Sequence, residues 1–213
     1  MKKFLPIVIF ILGIAVAGSV AAFTLLRGGG GSVAVEDEKV PELPLSQRPF
    51  TSLTPMEDGH FLRLRIENAG IVPGAATLDY QLLYQTQDGT QQGVQGTIKE
   101  EDLRGSVERE LLLGTESSGT FRYDEGVETG SLTLWFRGPG GKLKAKLATD
   151  FHLQVDVDEL SSADGGFVYA LDDPPSGVYF VVMETFGTGP ENVESTNFAI
   201  FSSDGASHAG KVI

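Results

Sequence analysis

The sequence holds no cysteine in its 213 residues. That excludes disulfide crosslinks, thiolate zinc sites and attachment through a lipid-modified N-terminal cysteine. Histidine is scarce as well: His60, His152 and His208 stand far apart, and no two have zinc-pair spacing. There is no Gly-x-Ser-x-Gly nucleophile elbow, and Gly138-Pro139-Gly140-Gly141 lacks the Lys-Ser/Thr of a phosphate-cradling loop. Asp156-Val157-Asp158-Glu159 with Asp164 is the richest set of hard oxygen ligands. Leu160 and Ser161, however, fall at the fifth and sixth positions of a calcium-loop template, and the segment reads as a solvated loop. No catalytic residue, metal or cofactor is expected. His152, on the polar side of its strand, is the one candidate general base.

Basic charge is also thin. Beyond residue 27 there are 13 basic residues against 29 acidic ones, a formal −16. A surface of that sign repels phosphate backbones, so no nucleic acid partner is expected.

What the chain does have begins at its N-terminus. Lys2 and Lys3 precede an uncharged run, Phe4–Leu26, and Arg27 follows it. The run is 23 residues long, enough for a helix across a bilayer core of about 30 Å. A cleaved signal ending near Ala15-Val16-Ala17 or Val20-Ala21-Ala22 is the alternative, but apolar signal cores usually run only about 7–15 residues. The basic residues ahead of the span predict a single-pass protein of the cell membrane, with residues 1–27 as cytoplasmic tip and anchor, the membrane contact at 4–26, and the rest outside the cytoplasm. Residues 28–49 read as a stalk: Gly-Gly-Gly-Gly-Ser, then an acidic stretch spaced by Pro41, Pro44 and Pro49.

From Phe50 the dominant period is two. Leu62, Leu64 and Ile66 alternate with Arg63, Arg65 and Glu67, and Leu78, Tyr80, Leu82 and Tyr84 alternate with Asp79, Gln81 and Gln85 before a Gln87-Asp88-Gly89 turn. Leu103–Leu113 reads as a strand, with a short helix as the alternative. The hairpin over 131–147 is the clearest element, and further strands follow at 151–155, 167–171, 178–183 and 198–201. About nine short strands with no long helix predict an all-β fold, an antiparallel β-sandwich behind an N-terminal transmembrane helix. The domain is expected over 50–205, with 206–213 a disordered tail. Pro174-Pro175-Ser176-Gly177-Val178-Tyr179 resembles the Gly-x-Tyr of the tyrosine corner in immunoglobulin-like and fibronectin-like sandwiches, which implies that the Tyr179 hydroxyl ties its strand to a preceding turn.

The candidate ligand-binding surface lies on the 131–147 hairpin. Alternation puts Trp135, the only tryptophan, beside Thr133 and Arg137, opposite Leu132, Leu134 and Phe136. If the Gly138–Gly141 loop sets the register, Phe136 faces Leu143 and Trp135 faces Lys144. Trp135, Arg137, Lys142, Lys144 and Lys146 then form a cationic, aromatic-centred face on an acidic domain. Such a face suits an acidic glycan or an acidic partner protein; lysine stems covering the indole would also produce it. The expected function is a surface-displayed, non-catalytic recognition or envelope-assembly module; the alternative is an exported hydrolase acting on envelope polymers.

Overall fold

The computed structural model describes residues 40, 42–189, 192–193 and 196–213. The apolar run at 4–26 and the stalk through residue 39 lie outside the described residues. Among the described residues, no helix is long and apolar enough to cross a membrane.

A 3-10 turn, Leu45–Gln47, leads into β1 (Phe50–Pro55) and β2 (Phe61–Glu67). The next hairpin joins β3 (Thr77–Gln85) to β4 (Gln91–Lys99). β5 (Ser106–Leu112) follows, then a small hairpin of β6 (Gly114–Ser117) and β7 (Thr120–Tyr123). The long hairpin pairs β8 (Thr129–Arg137) with β9 (Leu143–Val155). The chain continues through β10 (Glu159–Ser161), β11 (Val168–Leu171), β12 (Tyr179–Glu184), β13 (Phe198–Ser202) and β14 (Gly210–Val212). Every pairing among these strands is antiparallel. The all-β expectation holds, and Leu103–Leu113 contributes the strand β5 rather than a helix.

The largest sheet runs β13-β12-β9-β8-β3-β4. Its inner face meets the β1-β2-β5 sheet, because both present alternate apolar residues to one another. Leu62, Leu64 and Ile66 of β2 are buried against Leu82, Leu134, Phe136 and Phe151 of the large sheet. Each such side chain contributes about 1.5–3 kcal/mol by leaving water. The intervening Arg63 and Arg65 face outward and pair across the ladder with Glu110 (3.9 Å) and Glu108 (3.6 Å).

The sequence pattern did not show a third layer. The β10-β11-β14 sheet covers the outer face of the large sheet at its β12–β13 end. Leu160, Phe167 and Leu171 pack there on Phe180 and Val182, so β12 is buried on both faces. Residues 206–213 are therefore not a disordered tail. β14 pairs with β11, and the His208 ring meets Phe180 edge-on at 5.0 Å.

The domain also starts earlier than residue 50. Leu43 packs on the first core, Arg48 Nε donates to the Leu43 carbonyl at 2.8 Å, and Pro49 is buried, so 42–49 belong to the folded unit Val40–Ile213. The corner before β12 is tied by Asp156 rather than by a tyrosine hydroxyl. Its Oδ1 accepts from Gly177 N at 2.8 Å and Ser176 Oγ at 3.1 Å. The Tyr179 ring lies instead against Gly59, whose φ of +68° and missing side chain make room for it.

Candidate functional site

Leu132, Leu134 and Phe136 are fully buried in the first core, and Thr133, Trp135 and Arg137 stand on the outer face. The register across the hairpin differs from the expected one. A 3-10 turn at Pro139–Gly141 and a bulge between Phe136 and Arg137 set Phe136 opposite Ala145 and Trp135 opposite Lys146. The slip is two residues, so parity is kept, and Lys144 and Lys146 stay on the indole's side. Lys142 sits in the turn and is exposed. The Lys144 stem crosses Gly138, where a Cβ would come within 2.6 Å of its Cε.

Arg137 is not a free cation. Its Nε donates to Asp79 Oδ2 at 2.7 Å, and Thr97 Oγ1 donates to Asp79 Oδ1 at 2.7 Å. Trp135 is half-buried in a cross-strand row, Lys146–Trp135–Asp79–Thr97. The next row is Ala148–Thr133–Gln81–Gln95, so the uncovered part of the sheet sets amides, hydroxyls and one indole among Lys146, Lys144 and the Asp79–Arg137 pair. The structure thus groups Trp135, Arg137, Lys144 and Lys146 on that face and leaves Lys142 at its edge.

A second feature has no local signature in the sequence. The turn before β2, the β7–β8 connection, β9 and the start of β12 enclose a cleft of about 530 Å³. Its lining takes apolar surface from Val127, Leu153, Val157 and Tyr179 and includes four acidic residues, Asp58, Asp124, Glu125 and Glu128. His60 and His152 line it too. Tyr84 donates to Asp124 Oδ2 at 2.9 Å; its burial, and then the hydrogen bond and negative charge of Asp124, push the phenol's pKa well above the usual tyrosine range. Beside the cleft the His60 ring stacks on Tyr123 at 3.9 Å, with the planes 6° apart. Phe121 stacks on Tyr123 at 6.1 Å, and Phe61 meets both edge-on at 6.2 Å. Phe121 and Tyr123 are 45% and 38% exposed. The available sequence signal was Phe121-Arg122-Tyr123 alternating after Ser118-Gly119, a hairpin turn with positive φ at both residues.

The remaining candidates resolve into structural roles. His152 Nδ1 lies 2.9 Å from the Ser161 carbonyl oxygen and 3.2 Å from Ser161 Oγ. A carbonyl only accepts, so Nδ1 carries the proton and has no lone pair for the serine hydroxyl. Asp164 accepts from Ser162 Oγ at 2.6 Å and Gly166 N at 3.0 Å, bonds that hold its pKa below the usual carboxylate range and close its own loop. Among the described residues, no three His, Asp or Glu side chains converge as a metal site. A larger cleft, about 740 Å³, lies between β14 and β13 and is lined by Tyr169, Ile200, His208 and Lys211. Asp204 beside it is pulled upward by burial, but hydrogen bonds from Ala206 N and His208 outweigh that and leave its pKa lowered. No family model, curated protein or solved structure matches the chain.

Proposed function

We propose that the protein is a membrane-anchored β-sandwich module, immunoglobulin-like or fibronectin-like in character, displayed outside the cytoplasm for recognition or envelope assembly without catalysis. The run Phe4–Leu26 behind Lys2 and Lys3 supports the anchor, and the core shared by the β1-β2-β5 sheet and the large sheet supports the sandwich. The observation that carries the recognition reading is the uncovered outer face of β8, β3 and β4, set around half-buried Trp135.

The ligand class is an acidic glycan. The indole offers a stacking plane, Gln81, Gln95 and Thr133 offer hydrogen bonds, and Lys144 and Lys142 offer positive charge. A soluble polyuronate is the probe. Trp135→Ala and Lys144→Glu should each weaken its binding by about fivefold or more, read by calorimetry on the full chain. Unchanged binding in both variants would remove this face from consideration. Binding of an acidic protein but no polyuronate, lost in the same variants, would keep the face and change its ligand. Protease added to intact spheroplasts should remove residues 28–213, and protection of the acidic domain would overturn the topology.

An exported hydrolase is the second reading, because the 530 Å³ cleft brings His152 together with carboxylates. The protonated Nδ1 of His152 beside Ser161 weighs against a serine nucleophile there.

A further inference from the structure

We propose that the cleft between the β1–β2 turn and the β7–β8 connection, with the His60–Tyr123–Phe121 ring stack at its side, binds an extended peptide segment carrying lysine or arginine from a partner protein. The proposal is independent of the Trp135 face, which lies elsewhere on the domain and suits the opposite charge.

Shape comes first. A volume of about 530 Å³ accepts a few side chains, and the walls at Val127, Leu153 and Tyr179 suit an alkyl stem. Charge comes second. Asp58, Asp124, Glu125 and Glu128 line the cleft, and among the described residues its lining has no lysine or arginine. A basic side chain would lay its methylenes on the apolar wall and hold its charged head at the carboxylate rim. An acidic polymer would be repelled there.

The rings are the third argument, and they point to a ligand independently of the carboxylates. The hairpin β6–β7 adds no residue to either core; its strands are exposed along nearly their whole length. It nevertheless presents Phe121 and Tyr123 on one face, and His60 joins that stack to the cleft. Tyr123 pairs with Gly114, where any Cβ would run into the Arg122 carbonyl, so only glycine lets the two strands close. Exposed, mutually aligned rings beside the cavity offer an aromatic anchor for a peptide. A guanidinium or a peptide plane stacks on them, and an apolar neighbour of the basic residue covers their edges.

The test uses the full chain and a synthetic acetyl-Ala-Arg-Leu-Lys-Ala-amide peptide, with binding followed by calorimetry and by amide shifts in NMR spectra. Shifts should concentrate at 58–60 and 121–128. A peptide with Glu in both basic positions should not bind. Glu125→Gln with Glu128→Gln should weaken binding about fivefold, and Tyr123→Ala by a similar factor. Asp172→Asn with Asp173→Asn removes the same charge from exposed positions outside the cleft and should leave affinity within about twofold, as should Trp135→Ala. Equal loss in the Asp172/Asp173 variant would reduce the effect to general attraction by an acidic surface and overturn the proposal. So would shifts outside the cleft, or cellotetraose, a neutral sugar, binding at the rings in place of the peptide. The glutamine variant keeps backbone and packing intact, so a folding defect in Tyr123→Ala does not blunt the experiment.

Discussion

The outer face of the large sheet is two different surfaces on one continuous ladder. At the β12–β13 end it carries Phe180, Val182 and Ile200 under the β10-β11-β14 sheet. At the β8–β3–β4 end the same face carries Thr133, Gln81 and Gln95 and is bare. β9 crosses between the two regimes: Lys144, Lys146 and Asp150 are exposed, while Gln154 is buried. Gln154 tolerates this because its amide exchanges hydrogen bonds with Ser161, donating to the carbonyl at 3.1 Å and accepting from the backbone N at 3.0 Å. Coverage, not strand pairing, therefore decides where stability is stored and where a surface is left for binding.

The largest expected effect breaks the covered end. Phe180 is 1% exposed and touches the second core, so Phe180→Ala should cost about 3–5 kcal/mol in urea unfolding. Trp135→Ala, a larger deletion on the bare end, should cost only about 1 kcal/mol. Similar losses at the two positions would mean that the outer layer is not a true core, or that something covers Trp135.

A subtler substitution sharpens the same contrast. Val182→Thr changes shape little but places a hydroxyl where the side chain has no solvent access. The ladder sets His152 and Ile200 opposite it, and His152 Nδ1 is already engaged with the Ser161 carbonyl. The expected loss is about 1–3 kcal/mol. A loss below about 0.5 kcal/mol would show that the hydroxyl finds a partner or water, and that the β10-β11-β14 layer is loosely seated.

The contrast was only half legible in the sequence. β2, β3 and β8 stood out because one face of each meets polar surroundings, which writes the alternation Leu-Arg-Leu-Arg into the chain. The run Val178–Met183 reads as a strand from its β-branched and aromatic content, yet its apolar residues on both faces do not reveal a third layer. β1 was missed because its buried positions include Thr51 and Ser52, polar residues that break the hydrophobic pattern. β14 was missed because three residues of Gly-Lys-Val have no period at all; pairing with β11 makes them a strand. The register differs from the expected one by two residues, and an even slip leaves Trp135, Lys144 and Lys146 on one side of the sheet. Of its cations, Arg137 turned out to be engaged with Asp79, a partner 58 residues away that spacing does not reveal. The cleft was invisible for the same reason. Asp58, Asp124 and His152 come from three separate segments, and no local pattern joins them.

The smallest expected effect tests the bare end by the reverse exchange. Thr133 lies between Ala148 and Gln81 on the open face, one row from Trp135. Thr133→Val removes a hydroxyl from a half-buried position where water remains available, and valine favours a strand as strongly as threonine does. Stability should therefore stay within about 0.5 kcal/mol, in contrast to the loss at Val182, although the two substitutions exchange the same pair of groups. A loss above about 1 kcal/mol would mean that the Thr133 hydroxyl is held by a partner and that the face is not free. The same variant adds one methyl to the surface around the indole, so size-exclusion chromatography should show an unchanged elution volume for the full chain. Association on Thr133→Val would show that this face is poised to bury itself against another surface, and would move its ligand class from glycan to protein.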